Sequence, residues 1–195
     1  INTIIQRKGA RLAMFTNAGF EDVIELARLR MPDMYSLFCQ RPDPLVPRDM
    51  IFGLPLRMRA DGRRSDAPEG AVAEAVAQAR AAGAEGVIVS LLHAWRDPAQ
   101  EIAVREEIEA LAPELFVFTS SEVWPVIREY ERSSTAILNG YVHPRVSGYL
   151  EALEARLEAQ GVPARAMLTK SNGGVMTAGE GRRDCVSMLL SGTAS

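Results

Sequence analysis

GVIVSLL, residues 86–92, is an unbroken apolar run of strand length, β-branched at Val87, Ile88 and Val89. It follows directly on an alanine-rich stretch, 69–82, in which Val72, Val76 and Ala79 recur at helical spacing. A strand without polar alternation is buried on both faces, and a helix leading straight into it is the repeating unit of a parallel sheet covered by helices. The pair recurs downstream: 98–111 places Val104, Ile108 and Leu111 on one helical face, and LFVFT, 115–119, supplies the next strand. Upstream, RLAMFT, 11–16, is a further apolar strand, which Asn17, Ala18 and Gly19 turn into a helix beginning near Glu21. Pro32, Pro42, Pro44 and Pro47 make 31–47 an irregular surface excursion, and 50–59 reads as a strand closed by the Asp61-Gly62 turn. The fold class implied is α/β with a mainly parallel, helix-covered sheet.

Further along, 126–142 reads as an amphipathic helix with Ile127, Tyr130, Ser134, Ile137, Leu138 and Tyr141 on its apolar face. Arg128, Glu131, Arg132, Thr135 and Asn139 fall on the others. Glu129 and Arg132, three apart, read as a pair on a solvated face contributing about 0.3 to 0.5 kcal/mol. Pro144 should end this helix or open another, whose stripe of Val146, Leu150, Leu153 and Leu157 runs to a stop at Gly161. A strand over 165–170 then leads into SNGG, 171–174, and the chain finishes on SGTAS, 191–195. SNGG has two readings. Asn-Gly and Gly-Gly are common turn dipeptides, but consecutive glycines beyond a strand end can also aim backbone N–H groups at an anion, with Ser171 and Asn172 adding donors. SGTAS is equally divided: Ser191 and Thr193 around Gly192 either bind phosphate or cap a helix.

Composition excludes several classes of function. The 195 residues are 47% hydrophobic, enough for a sizeable core, and carry a formal net charge of -3. Lys8 and Lys170 are the only lysines, and no basic stripe suited to a nucleic-acid backbone exists. No apolar stretch approaches a membrane span. Cys39 and Cys185 stand far apart without metal-binding spacing, which fits reduced thiols in a cytoplasmic protein. His93 follows a strand end but has no partner carboxylate, so its ordinary role is structural. Ser120, Ser121, Ser133 and Ser134 have no neighbouring histidine and no nucleophile elbow, so a serine hydrolase is not supported. Because the chain begins at Ile1 without a methionine and stops inside SGTAS, it is expected to be a fragment.

Several segments, in order, resemble one family. NTIIQRKGARLAMFTNAGFEDVIELAR (2–28), RPDPLVPRDMIFGLPLRMRADG (41–62), VSLLHAWRDPAQE (89–101), SSEVWPVIREYERSSTAILNGYVHP (120–144), SNGGVMT (171–177) and LLSGTAS (189–195) are similar to segments of the hydantoinase A / 5-oxoprolinase family. That family includes the A-type chains of ATP-dependent N-methylhydantoinases and one component of acetone carboxylase. The resemblance implies a partial actin-like (ribonuclease H-like, ASKHA) ATPase fold, with 1–132 the later part of the N-terminal region and 133–195 the truncated start of the main domain. It implies ATP and Mg2+ as cofactors and phosphoryl activation of an amide or ketone oxygen. A hydantoin, N-methylhydantoin or 5-oxoproline ring would be opened, or a ketone carboxylated, together with a hydantoinase B-type second subunit or fused domain. Such phosphoryl transfer depends on positioning and charge neutralisation, a task for backbone donors. Ser171, Asn172, Gly173, Gly174, Ser191 and Gly192 are the cofactor-binding residues it implies. It identifies neither catalytic residues nor metal ligands.

The chain departs from the family pattern in three respects. Glycine-rich phosphate loops of the DxGGT type are expected upstream of Ile1 and downstream of Ser195. Where the family has SGPAG this chain has Thr193 and Ser195, which changes the loop's rigidity and closeness of approach. A frequent His-Glu pair is here Gln100-Glu101. The isolated fragment is accordingly expected to be inactive, and a non-catalytic scaffold module of an ASKHA-type protein is the alternative.

Overall fold

The computed structural model describes residues 1–29, 31–59, 61–163, 165–189 and 191. In chain order its elements are α1 (Asn2–Ile5), β1 (Leu12–Asn17), α2 (Val23–Leu26), β2 (Ile51–Leu54), β3 (Arg57–Met58), β4 (Arg64–Ser65), α3 (Ala71–Ala81) and β5 (Gly86–Val89). They continue as α4 (Ala99–Leu111), β6 (Phe116–Thr119), α5 (Ser120–Val123), α6 (Glu129–Ala159), β7 (Met167–Thr169), β8 (Val175–Thr177) and α7 (Ala178–Arg183). The chain divides into two compact units, Arg11–Ile137 and Ile1–Ala10 with Leu138–Ser195.

In the unit of residues 11–137, a four-stranded sheet of order β2-β1-β5-β6 is parallel throughout, with Met14 opposite Ile51 on one side and Ile88 on the other. The apolar strands fill its centre because helices remove both faces from water: all of β1 and β5 is buried. Helix α3 contributes Val72, Ala75, Val76 and Ala79, and α4 contributes Val104 and Ile108. Leu111, assigned above to the inner face of that helix, is 43% exposed. Gln100 and Glu101 are buried in its place.

The segment 50–59 is not one strand. Pro55 has no N–H to donate, so β2 stops at Leu54, and β3 pairs with β4 in an antiparallel hairpin around Gly62, whose φ of +87° suits glycine. Residues 31–47 carry neither helix nor strand, and Tyr35, Leu37 and Phe38 within them are 94%, 97% and 91% exposed.

Helix α6 runs from Glu129 to Ala159 without stopping at Pro144, contrary to the expectation of a break there. A proline within a helix removes a donor and pushes against the carbonyl four residues earlier, here that of Gly140, and the next carbonyl takes a donor from outside the helix. Ala10 N–H donates to Tyr141 O at 3.0 Å. The approach requires Gly9, where a Cβ would stand 2.3 Å from the Tyr141 ring and 2.5 Å from its carbonyl oxygen. Asn139, expected on a polar face, is buried: its Nδ2 donates to Arg183 O at 2.9 Å and its Oδ1 accepts from Val186 N–H at 3.0 Å. In the same unit β7 and β8 form an antiparallel hairpin, and Thr177 caps α7 in a reciprocal arrangement with Glu180.

Candidate functional site

In an open parallel sheet, ligands collect beyond the carboxyl ends of strands where the connections diverge. Here that place lies between β1 and β5, because β1 connects to β2 on one side and β5 continues to β6 on the other. Beside this crevice, beyond the ends of β5 and β6, lies a buried polar network. Glu101 is 0% exposed, and each of its oxygens takes two donors. Oε1 accepts from Leu91 N–H at 2.8 Å and Ser120 Oγ at 2.6 Å. Oε2 accepts from Ser121 N–H at 2.9 Å and Ser121 Oγ at 2.6 Å. Arg132, also 0% exposed, donates from Nε to Ser120 Oγ at 2.8 Å, from Nη1 to Val126 O at 2.8 Å and from Nη2 to Leu91 O at 2.6 Å. Ser120 Oγ is therefore the relay between carboxylate and guanidinium.

Asn17, at the end of β1, accepts from Leu92 N–H at 2.7 Å and donates to Leu56 O at 2.8 Å. Ser90 and Ser133 share a 2.7 Å hydroxyl contact. What remains of the crevice is a cavity of ≈ 10 Å³ beside Thr16, Ser90 and Ser133, about the space of one water.

This arrangement corrects the reading of Arg132 as half of a solvated ion pair with Glu129. Burial pushes its guanidinium below the ordinary value, opposed by the charges of Glu101 and Glu129. With the lone pairs of Glu101 occupied, the network fastens the ends of β5 and β6 together and offers no base to a substrate. Ser120 and Ser121 serve it as ligands of the carboxylate, in keeping with the absence of a serine-hydrolase signature. The signals available in the sequence are spacing and size. Glu101, Val104 and Ile108 lie on one helical stripe, and Ser133, Ala136 and Gly140 make a small-residue face beside Arg132.

The loops singled out in the sequence lie in the other unit. SNGG forms the tight turn of the β7–β8 hairpin and not the end of a parallel strand. Its φ-positive residue is Gly173, at +83°. Lys170 N–H donates to Gly174 O at 2.6 Å and Gly173 N–H to Lys170 O at 3.0 Å. Gly174 N–H donates to Asn172 Oδ1 at 3.0 Å. Ser171 sends both its N–H, at 2.6 Å, and its Oγ, at 2.7 Å, to Ser187 O. The N–H groups of Ser171, Gly173 and Gly174 are thus engaged within the protein, while Asn172, Gly173 and Gly174 are exposed. The bonds to Ser187 tie the turn to the segment that runs into half-buried Ser191. Gly192, with Thr193 and Ser195, lies outside the described residues.

Two titratable groups near this hairpin are shifted by burial. The His143 ring, 2.9 Å from Arg182 O, is held below the ordinary imidazole value by burial, against that hydrogen bond and the charge of Glu151. Burial, with the charge of Asp184, pushes the Cys185 thiol up to about 12.

Comparison with known proteins supplies the family. The model of the hydantoinase/oxoprolinase N-terminal region matches residues 1–112, and that of hydantoinase/oxoprolinase matches 132–195. An uncharacterised protein of Methanocaldococcus jannaschii is 34% identical over 166 residues, 85% of this chain and 24% of that protein. The alpha subunit of the caprolactamase of Pseudomonas jessenii is 29% identical over 198 residues, 100% of this chain and 28% of that protein. The nucleotide-free structure of acetone carboxylase superimposes with a TM-score of 0.85 at 27% identity, over 99% of this chain and 29% of that one. The chain thus spans about a quarter of the length of the curated relatives it matches. With both family models matched in order and the architecture shared, the chain belongs to the hydantoinase/oxoprolinase family of ATP-dependent hydrolases and carboxylases, and its α/β structure is part of their actin-like (ASKHA) fold.

Proposed function

We propose that this chain is part of an ATP-dependent enzyme that opens a cyclic amide of the hydantoin, N-methylhydantoin or 5-oxoproline type. The observation that carries this reading is its likeness to the caprolactamase alpha subunit across 100% of the chain. The γ-phosphoryl group of ATP passes to the amide oxygen and ADP leaves. Water then adds at the activated carbon, the ring C–N bond breaks with a proton passing to nitrogen, and a second water hydrolyses the resulting acyl phosphate to leave a carboxylate and free phosphate. Because the barrier in such transfers is lowered by positioning and charge neutralisation, donors matter more than a nucleophilic side chain.

The residues assigned to the nucleotide are Ser171, Asn172, Gly173, Gly174, Ser191 and Gly192. Support comes from the exposure of the hairpin turn and from Asn172, whose Oδ1 takes Gly174 N–H and leaves the side-chain NH2 as a donor suited to a phosphate oxygen. Mg2+ is the metal expected by family. Among the described residues no group of three or more His, Cys, Asp or Glu side chains could hold a metal ion, so no ligand is assigned on this chain and no step runs through the metal.

The domain boundary is assigned near Ser133, supported by family matches that end at 112 and resume at 132. A hydantoinase B-type second subunit or fused domain is the proposed partner, supported by the subunit naming of the caprolactamase relative. A cytoplasmic location fits the free thiols of Cys39 and Cys185, and no helix among the described residues is long and apolar enough to cross a membrane.

The likeness to acetone carboxylase favours a second reading, ATP-dependent carboxylation of a ketone. The test is ADP release by the intact gene product with hydantoins, lactams or 5-oxoproline, and in a separate arm with ketone and bicarbonate. Turnover stimulated only in the second arm replaces the first reading with carboxylation, and no stimulation in either sinks both. The engaged N–H groups of the SNGG turn favour a third, the non-catalytic scaffold, which detectable Mg-ATP binding by this chain would overturn.

A further inference from the structure

Residues 25–29, ELARL, are drawn from the strongest helix formers, yet α2 stops at Leu26. Ala27 takes a φ of +51° with a ψ of -126°, and Leu29 takes a φ of +55°. Leu29 N–H donates to Leu26 O at 2.9 Å, so residues 26–29 form a turn whose second residue has the conformation of a type II′ turn, a place dominated by glycine. Two residues with side chains are thus held at positive φ within three positions. Local preference and the adopted backbone disagree, and such disagreements mark strained, functional segments.

Arg41 holds the turn. Its Nη1 donates to Glu25 O at 2.8 Å and to Leu26 O at 3.3 Å, and its Nε meets Met31 Sδ at 3.3 Å. Glu25 O is the acceptor that Leu29 N–H would take if the helix ran on with its i→i+4 pattern. Guanidinium and helix therefore compete for one carbonyl. With Arg41 seated, α2 is capped and Leu29 N–H is left to the turn. With Arg41 withdrawn, Glu25 O is open to Leu29 N–H, and Ala27 and Leu29 relax to the negative φ that residues with side chains favour. Beyond the turn the chain carries exposed Met34, Tyr35, Leu37 and Phe38. Whether 27–29 turn or continue the helix decides the direction in which that segment leaves α2.

We infer that residues 26–29 are a two-state element, a strained turn while Arg41 caps Glu25 and Leu26 and a continuation of α2 when Arg41 withdraws, and that the change re-aims the apolar segment 31–38. The device stands apart from the nucleotide reading, since it requires neither ATP nor turnover. Its test is the sign of one substitution in two backgrounds of the 195-residue chain, because glycine accepts positive φ freely but weakens a helix. A27G should raise the urea midpoint by about 0.3 M in the otherwise unaltered chain and lower it by about 0.3 M when added to R41Q, where 27–29 are helical. The Cα carbon resonances of residues 27–29 should move to helical values in R41Q and not in A27G. R41K, whose single ammonium lacks the planar fork of arginine, is the second background should R41Q not fold. An A27G effect of the same sign in both backgrounds, no gain from A27G in the unaltered chain, or Cα resonances that stay put or move to coil values on loss of Arg41 overturns the inference.

Discussion

Glu101 is the residue on which the parallel unit most depends. Its two oxygens hold four donors drawn from the ends of β5 and β6, and through Ser120 it answers the charge of Arg132. Breaking a buried charged set by removing one member leaves the other uncompensated, so Glu101→Gln should cost about 3 to 5 kcal/mol, read from urea unfolding. Cys185 makes the opposite kind of prediction. Fully buried and with its thiol raised to about 12, it should resist a thiol reagent at pH 8 in the folded chain. Partly exposed Cys39 should react, so one equivalent per folded chain is expected and two after denaturation. His143 adds a pH dependence with a definite sign. Burial favours its neutral form in the folded chain, whereas the unfolded imidazole titrates near its ordinary 6.5. The unfolded state then binds more protons below that value, and stability present above pH 6.5 is lost as pH falls towards the folded value. His143→Asn should flatten the slope of stability against pH just below 6.5, as urea midpoints across that range would show.

At the scale of elements, what can be read from the sequence is whatever a single element's own pattern displays. β1, β5 and β6 announce themselves by unbroken apolar runs, and α3 by Val72, Val76 and Ala79. β3 and β4 are two-residue strands, too short for any periodicity to register, so in the sequence β3 merges with β2 into one long strand and β4 goes unread. α6 divides on paper at Pro144 because a proline is ordinarily a break. It continues instead, and beside the proline Ala10, more than a hundred residues earlier in the chain, donates to Tyr141 O, a contact no local pattern displays. The capping box of α7 is local, and its contribution is correspondingly simple. Thr177→Ala removes the acceptor of Glu180 N–H and should lower stability by about 1 kcal/mol, measured by the shift of the urea midpoint.

For the whole molecule, the family and the order of its elements are legible because many short blocks agree in sequence along the chain. The polar network beyond β5 is not, since its members stand 10, 19 and 41 residues apart and a charge is read by default as facing water. SNGG is legible as a turn from its dipeptides alone, and the backbone adopts that turn. The stretch around Tyr35, Leu37 and Phe38 has a practical consequence of another kind. An aromatic-specific protease needs an accessible segment with a large side chain that it can draw out, and these three present one with no strand ladder to unzip first. Chymotrypsin at low dose should therefore cleave between residues 35 and 39 before anywhere else, as mass spectrometry of the first fragments would record. First cuts within β1, β5 or α4 instead would show that the nicking follows global unfolding. Any attempt to produce or crystallise this chain begins with a built-in scissile site.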